Sequence, residues 1–250
     1  MEIVYTVFAF IFGLVFGSFF NVVGLRIPKK ESISTPPSHC TSCQRRLTVI
    51  DLIPVLSYII LRGKCRTCHT KISPIYLVTE IVTGLLFAFT VWSLGLTVET
   101  AVALFFISLL VIIVVSDFAY MLIPDKILLF FLPFLLVGRI LSPLDPWWDS
   151  LLGAVIGFGI LYLIAVVSKG GMGGGDIKLF FLIGLVLGTM NTLLTLFIAA
   201  FIGMIVGIIV LKVRNQGRKT PVPFGPSIAA AAVIVYFYGN NILDWYMNLF

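Results

Sequence analysis

Charged residues are scarce in this sequence of 250 residues: Asp, Glu, Lys and Arg make up 11% of it, whereas hydrophobic residues make up 60%. Soluble globular domains carry about 25% charged residues. Together with a mean hydropathy of +1.12, the composition excludes a soluble globular domain and indicates a polytopic membrane protein.

Histidine and cysteine are also rare, and both are missing from the long apolar segments. The two histidines and the four cysteines all lie within residues 26–74. A membrane-embedded Ser–His–Asp or Cys–His site is therefore excluded, because each needs an imidazole beside its nucleophile. No glycine-rich dinucleotide fingerprint follows a strand-like segment either, so no nucleotide-type cofactor site is predicted from a motif.

Long apolar runs are abundant, and about 20 apolar residues suffice to cross a bilayer. We predict an all-α fold, a polytopic bundle of about eight transmembrane helices with a small cytoplasmic zinc-binding loop domain. The predicted spans are residues 3–24, 75–95, 98–116, 123–141, 149–167, 177–189, 191–213 and 224–239. The predicted domains are a first transmembrane helix (1–24), the cytoplasmic loop domain (25–74) and a membrane-embedded domain (75–250).

Basic residues are concentrated in two loops, which the positive-inside rule assigns to the cytoplasm. They are Arg26, Lys29, Lys30, Arg45, Arg46, Arg62, Lys64, Arg66 and Lys71 in the first loop, and Lys212, Arg214, Arg218 and Lys219 in the second. Eight spans then place both termini outside, where Trp147, Trp148, Trp245 and Tyr246 form an aromatic belt. Arg139 is the one basic residue near that outer face. Topology and anionic lipids account for the net charge of +6, so no nucleic-acid partner is predicted.

The cytoplasmic loop carries its cysteines as two CxxC pairs, Cys40–Cys43 and Cys65–Cys68, separated by 21 residues. This spacing is typical of a structural zinc site with four thiolate ligands. A disulfide framework is disfavoured in the reducing cytosol, and redox activity is disfavoured because neither pair lies in a strand–helix unit. Four thiolates fill the shell of zinc, so His39 and His69 are not included as ligands.

For several polar residues in or beside apolar segments, a structural role is favoured over a functional one, and a ligand role for Ser18 and Asn21 is the alternative. Ser18 and Asn21, near Gly17, suit close helix packing in the first span. The segment 52–61 is apolar but too short to span, and is expected to pack on the membrane surface or on other helices. Glu80 in the second span is a weaker candidate for a functional residue than the aspartates; a buried hydrogen-bonding group is one interpretation, and no role is assigned to it.

Three aspartates reach the cytoplasmic ends of their helices. Asp117 ends the third span, where a carboxylate opposes the helix dipole, and this unfavourable placement indicates a functional role. Asp125 follows Pro124 at a helix start, which explains it without catalysis. Asp176 follows the glycine-rich stretch 170–175, and either caps the next helix or takes part in chemistry. Two carboxylates at one membrane face can share a proton and activate water.

Prolines at 221, 223 and 226 lie at the entry to the last span. An irregular entry of this kind is tolerated where it is buried in protein or lines a cavity. We interpret it as part of the wall of the site, and a simple helix boundary is the alternative.

Taken together, these motifs resemble those of the type IV prepilin peptidases, also called prepilin leader peptidase/N-methyltransferases, which are membrane aspartic proteases of the GxGD type. The resemblance covers essentially the whole chain. The matching segments, in the same order, are Gly17-Ser-Phe-Phe-Asn-Val-Val, Leu52-Ile-Pro-Val-Leu-Ser, both CxxC pairs, Ser116-Asp117, Ile123-Pro-Asp125, Gly171-Met-Gly-Gly-Gly-Asp176-Ile-Lys and Pro223-Phe-Gly-Pro.

The resemblance implies that Asp117 and Asp176 are the catalytic pair. It implies a multi-pass protein of the cytoplasmic membrane of a prokaryote that removes basic leaders from type IV prepilins and pseudopilins, cutting after a glycine at the cytoplasmic face. It also implies methylation of the new N-terminus with S-adenosylmethionine, linked to the cysteine-bearing loop. Zinc at Cys40, Cys43, Cys65 and Cys68 and the membrane lipids complete the expected cofactors and partners.

Two other classes of function compete with this interpretation. A proton- or cation-coupled transporter with a regulatory zinc loop would need inverted repeats and carboxylates near the bilayer midplane, and neither is found. A noncatalytic assembly factor for a secretion machine would keep the zinc loop but need no pair of carboxylates.

Overall fold

The structure is a computed structural model that describes residues 2–168, 171–214 and 223–249, with the backbone alone at 211, 213 and 214. Gly170 of the glycine-rich stretch and Arg218, Lys219 and Pro221 of the second basic loop lie outside the described residues. The described part contains helices, turns and two isolated antiparallel bridges, and no strand.

Eight long helices and one short helix, α2, make up the fold over the described residues. They are α1 (Glu2–Arg26), α2 (Leu56–Ile60), α3 (Pro74–Leu94), α4 (Val98–Tyr120), α5 (Asp125–Leu141), α6 (Asp149–Val167), α7 (Gly174–Leu187), α8 (Thr189–Arg214) and α9 (Gly225–Met247). A single-turn 3-10 helix, Val49–Leu52, precedes α2. The all-α membrane fold is confirmed, since each predicted span corresponds to one long helix.

The helices α5 and α7 are shorter than a full membrane crossing. Six of the described helices are long and apolar enough to span a bilayer, whereas α5 has 17 residues and α7 has 14. Two boundaries near the aspartates differ from the prediction: α4 continues to Tyr120, and α7 begins at Gly174 rather than at residue 177. The last helix, predicted to end at residue 239, continues to Met247.

The chain divides between Val115 and Ser116 into two compact units. In the first unit, α1 packs against α3 through small residues that permit backbone contact. A Cβ atom on Gly13 would lie 2.7 Å from Gly84 Cα, and one on Gly17 would lie 2.9 Å from Glu80 Cα. The small residues of α1 therefore serve the close packing that the sequence predicts.

In the second unit, α7 contacts α5, α6, α8 and α9 and is buried along most of its length. Phe180 and Ile183 have no exposed surface. The contact with α6 is a direct approach of two backbones, because a Cβ atom on Gly153 would lie 2.6 Å from the Gly184 carbonyl oxygen. The short helix α7 thus forms the centre of this unit.

Charged side chains satisfy the helix ends of the second unit at the predicted outer side. Arg139, 7% exposed, donates from Nε to the Val186 carbonyl in the last turn of α7 (3.0 Å). Asp149 of α6 accepts the backbone N–H of Thr189, the first residue of α8 (3.2 Å). These bonds replace water at groups that a helix leaves unpaired, and they explain a basic residue at the outer face.

We predict that Gly153→Ala destabilises the protein by about 1–3 kcal/mol, because the added methyl group overlaps the α7 backbone. Gly159→Ala in the same helix is the matched control, since a Cβ atom there meets no atom within 4 Å. The control is expected to be neutral or stabilising by up to about 1 kcal/mol. Denaturant unfolding in detergent measures both, and equal stabilities of the two variants would contradict the close approach.

Candidate active site and metal centre

Asp117 lies in the last turn of α4 and is 6% exposed. Its Oδ2 accepts the backbone N–H of Gly225 at 2.7 Å, and Gly225 is the first residue of α9. The positive end of the α9 dipole therefore offsets the unfavourable end of α4 at which this carboxylate sits. The tight turn that follows is held by Ser116 Oγ, which donates to the Leu122 carbonyl at 2.5 Å.

Asp176 is the third residue of α7 and is half-buried. It is not the N-cap of this helix, because Gly173 occupies that position. Its backbone N–H donates to the Gly173 carbonyl (3.1 Å), and a Cβ atom on Gly173 would lie 3.0 Å from Asp176 Oδ2. Asp176 and Asp117 are close enough for their negative charges to act on each other.

Glycine at 175 and at 225 allows the backbone to approach the two aspartates. A Cβ atom on Gly175 would lie 2.6 Å from Ile123 Cβ, and one on Gly225 would lie 2.7 Å from Asp117 Oδ2. A Cβ atom on Gly174, by contrast, would meet no atom within 4 Å. The glycine-rich stretch therefore packs α7 against the α4–α5 turn on one side and leaves one backbone position open beside Asp176.

Asp125 begins α5 and forms an ion pair with Lys178 of α7, with Oδ2 and Nζ 2.7 Å apart. Both side chains are about half exposed, at 55% and 52%. The pair therefore supplies charge balance at the N-terminal ends of two helices. Its exposure distinguishes Asp125 from Asp117, which is buried and bonded to the backbone.

The proline-rich entry to α9 forms part of this site through the backbone of Gly225, the first residue of the helix. Gly225 is buried and holds Asp117, and the Phe224 ring lies 2.9 Å from the position of a Cβ atom on Gly203. Of the two interpretations of the proline-rich entry, the described residues 223–226 agree with a wall of the site.

The four cysteines form one cluster, in which all four sulfur atoms lie within 4.8 Å of one another. The Cys40 and Cys68 sulfurs are 3.7 Å apart, and the Cys43 and Cys65 sulfurs 3.9 Å apart. A disulfide requires about 2.05 Å, whereas sulfurs about 2.3 Å from a tetrahedral zinc ion lie about 3.8 Å from each other. The donor set and its spacing therefore suit a tetrahedral metal ion.

Each cysteine pair is presented by the same type of turn. The backbone N–H of Cys40 donates to the Arg45 carbonyl, and that of Cys65 donates to the Thr70 carbonyl, both at 2.9 Å. Gln44 and His69, each four residues after the first cysteine, have positive φ angles of 57° and 55°. The loop therefore contains one turn twice, and the two copies face each other across the sulfur cluster.

The environments of the sulfurs differ across the cluster. Hydrogen bonds from the Thr70 side chain and backbone lower the pKa of Cys68 to about 6. At Cys43, the backbone of Arg45 favours the thiolate, but desolvation and the neighbouring sulfurs outweigh it and raise the pKa to about 11. Four thiolates at this distance repel one another unless a cation is shared among them.

Asp51, which the sequence did not single out, ties the two cysteine turns together. Its side chain is 3% exposed and pairs with Arg45 of the first turn and with Arg66 of the second, the latter at 2.9 Å. The Thr48 backbone N–H and hydroxyl also donate to it, at 3.1 and 2.9 Å. A sequence signal exists, because Asp51 is the only acid between the two cysteine pairs.

Glu80 of α3 fixes the loop to the membrane helices. It is 7% exposed, and its Oε2 accepts the backbone N–H of Val55 at 2.7 Å. Val55 directly precedes α2 and has a φ of 64°, which a β-branched residue rarely adopts. The carboxylate therefore stabilises a strained turn of the loop at the level of a buried membrane residue.

Comparisons with known proteins assign the cysteine cluster and the three aspartates to two different family models. The family model described as "Bacterial Peptidase A24 N-terminal domain" matches residues 11–94. The model described as "Type IV leader peptidase family" matches residues 104–208. The first range contains the cysteine cluster, Asp51 and Glu80, and the second contains the three aspartates.

Relatives match over nearly the full chain. A protein of Bacillus subtilis named "Prepilin leader peptidase/N-methyltransferase" is 45% identical over 240 residues, covering 96% of this chain and 97% of its own length. The chain belongs to the type IV leader peptidase family. Proteins of the same name from Pseudomonas putida and Aeromonas hydrophila are 34% and 32% identical, each over 96% of this chain and 93% of the relative. No solved structure matches the chain.

In this family member we predict that Asp51→Asn exposes the cysteine cluster. Burial disfavours the charge of Asp51, but hydrogen bonds from Thr48 and the guanidinium groups of Arg66 and Arg45 lower its pKa to about 2. A carboxyl group with a lowered pKa stabilises the fold above its unfolded pKa of about 4, and this contribution is lost as the pH falls through about 2. At neutral pH the Asp51→Asn variant therefore loses the whole stabilising contribution of the ionised carboxylate.

The measurement is the rate at which a thiol reagent labels the cysteines at pH 7. Labelling of the Asp51→Asn variant should be several times faster than that of the original protein. Glu31→Gln removes an exposed acid of the same loop and should leave the rate unchanged. Equal rates in the two variants would show that Asp51 does not hold the turns together.

Proposed function

We propose that this protein cleaves the leader peptide from type IV prepilins and pseudopilins, with Asp117 and Asp176 as the catalytic pair. The observation that carries the proposal is the convergence of these two carboxylates in one unit, one of them buried and held by the α9 N-terminus. The names of the relatives support the substrate class. Nothing in these comparisons supports the transporter alternative.

The surroundings of the two carboxylates suggest which one acts as the base. The Gly225 N–H and the positive end of α9 favour a negative charge on Asp117. Two neighbouring carboxylates do not ionise together readily, so Asp176 holds the shared proton. Asp117 is then the general base and Asp176 the general acid.

In the proposed reaction, Asp117 takes a proton from a water molecule while the oxygen of that water attacks the scissile carbonyl carbon. Asp176 donates its proton to the carbonyl oxygen, which gives a neutral tetrahedral intermediate. Asp117 then donates the proton it gained to the leaving nitrogen as the C–N bond breaks, and Asp176 recovers a proton from the intermediate. The open backbone at Gly174 offers space for an extended substrate peptide beside Asp176.

We further propose that the loop domain (25–74) binds one structural zinc ion through Cys40, Cys43, Cys65 and Cys68. The membrane-embedded part (75–250) then carries the cleavage reaction. The names of the relatives also support N-methylation of the new N-terminus, with S-adenosylmethionine as the expected methyl donor. We also propose that the active site faces the cytoplasm at the inner membrane of a prokaryote, and the basic residues of the loop support the cytoplasmic orientation.

We expect Asp117→Asn and Asp176→Asn each to reduce leader cleavage by several orders of magnitude, because a carboxamide neither ionises nor shares a proton. The double variant should lose little more cleavage activity than either single variant, since the two aspartates act as a unit. The measurement is cleavage of one coexpressed prepilin by equal amounts of membrane-inserted protein.

Asp125→Asn is the matched control for this comparison, because it changes an aspartate at a helix start whose partner is the exposed Lys178. It should retain substantial cleavage. Loss of cleavage in the Asp125 variant together with normal cleavage by the Asp117 variant would show that Asp125 and Asp176 are the catalytic pair. Full activity of all three variants would refute the aspartic mechanism.

Gly225→Ala is expected to lower cleavage by about 100-fold, the effect of a displacement of roughly 1 Å in a catalytic group. Its methyl group would lie 2.7 Å from Asp117 Oδ2 and 3.0 Å from Asp117 Cγ, so the carboxylate must move. Gly207→Ala in α8 meets no atom within 4 Å and should cleave normally. Cleavage rates at saturating substrate measure the difference, and normal cleavage by both variants would exclude the bond from Gly225 as a positioning contact.

Purified protein should contain about one zinc ion per chain, and Cys43→Ser should lose it. Because the proposed pair of aspartates lies outside the cysteine loop, this change should reduce N-methylation more than cleavage. The N-terminal mass of a processed prepilin reports both activities at once. Equal losses in protein that is still folded and inserted would show that the loop supports both reactions, and protein without metal but with two disulfides would refute the zinc site.

A further inference from the structure

The short segment between the cysteine pairs exposes an apolar patch, which we define as Val49, Ile50, Leu56, Ile59 and Ile60. These side chains belong to the 3-10 helix and to α2, which contact each other. Their exposed fractions are 81%, 63%, 58%, 60% and 74%. Contiguous exposed aliphatic side chains of this kind mark an interaction surface.

The position of the patch is restricted by Glu80. Val55, directly before α2, donates its N–H to this buried carboxylate, which lies about 9 Å along the axis from the start of α3 at a rise of 1.5 Å per residue. Because α3 is long and apolar enough to span a bilayer, the bond to Glu80 holds the N-terminus of α2 at the depth of the first two turns of α3. The patch therefore lies at the membrane boundary and not in the open cytosol.

The charges around the patch have one sign. Arg46, Arg62 and Lys64 flank it in the sequence and are exposed. The one acid of the segment, Asp51, has a side chain that is 3% exposed and paired with arginines inside the loop. Over residues 26–74 there are nine basic and two acidic residues, so a partner of the patch meets aliphatic side chains on a loop with an excess of positive charge.

We propose that the apolar patch inserts into the cytoplasmic leaflet and that the flanking basic residues bind anionic lipid headgroups. Aliphatic side chains on a short helix rimmed by Lys and Arg are typical of segments that lie in the membrane interface. The sequence left two partners open for this segment, the membrane surface or other helices, and the exposure of the patch favours lipid. This inference does not depend on the proposed peptidase activity.

The test places a genetically encoded photo-crosslinking amino acid at Ile60 in the full chain, reconstituted in vesicles of phosphatidylcholine and phosphatidylglycerol. Mass spectrometry of the irradiated protein should find lipid adducts. Phe197, 72% exposed on the spanning helix α8, is the positive control. Thr41, an exposed polar residue of the first cysteine turn, should give severalfold less lipid adduct than Ile60.

Replacing phosphatidylglycerol by phosphatidylcholine should lower the adduct yield at Ile60 severalfold and leave that at Phe197 unchanged. Lipid adducts at Ile60 no more frequent than at Thr41 would overturn the proposal, as would crosslinks at Ile60 mainly to protein, including a second copy of this chain. An Ile60 yield independent of phosphatidylglycerol would overturn the assignment of anionic headgroups. Labelling at Phe197 in the same preparation shows that the protein is inserted, so a failed insertion is distinguished from a negative result.

Discussion

A charged side chain inside an apolar protein is stable only where another protein group replaces the water it has lost. In this protein the replacement comes from backbone groups that helix ends leave unpaired. Asp117 accepts the first N–H of α9, Glu80 accepts the N–H that precedes α2, and Arg139 donates to the last turn of α7. Each buried charge thus stabilises a helix terminus and is itself fixed in place.

These bonds require backbones to come unusually close, and glycine permits this. Gly225 allows α9 to reach Asp117, and Gly175 allows α7 to contact the turn after α4. Gly153 brings α6 against the same short helix. A site made of two carboxylates depends on their separation to within a fraction of an ångström, so close packing at glycine positions serves the proposed chemistry as well as stability.

The loop domain is held together by a different kind of chemistry. It has few buried apolar side chains, and its order rests on the sulfur cluster and on Asp51, which connects two arginines from opposite turns. Structural metal sites commonly stabilise domains too small to bury a core. Glu80 then joins this loop to the membrane helices by a single bond to a strained backbone turn.

The sequence by itself determined the membrane class, the number of long helices and the grouping of the cysteines. Apolar run length and CxxC spacing act over a few residues, so local pattern suffices to predict them. Only the tertiary structure decided the partners of the charged groups: Gly225 for Asp117 across 108 residues, Lys178 for Asp125 across 53 and Val55 for Glu80 across 25. It also decided that α7 begins before Asp176. Such pairs are far apart in the chain and meet only when helices pack, and no local pattern of residues encodes which helix ends will face each other.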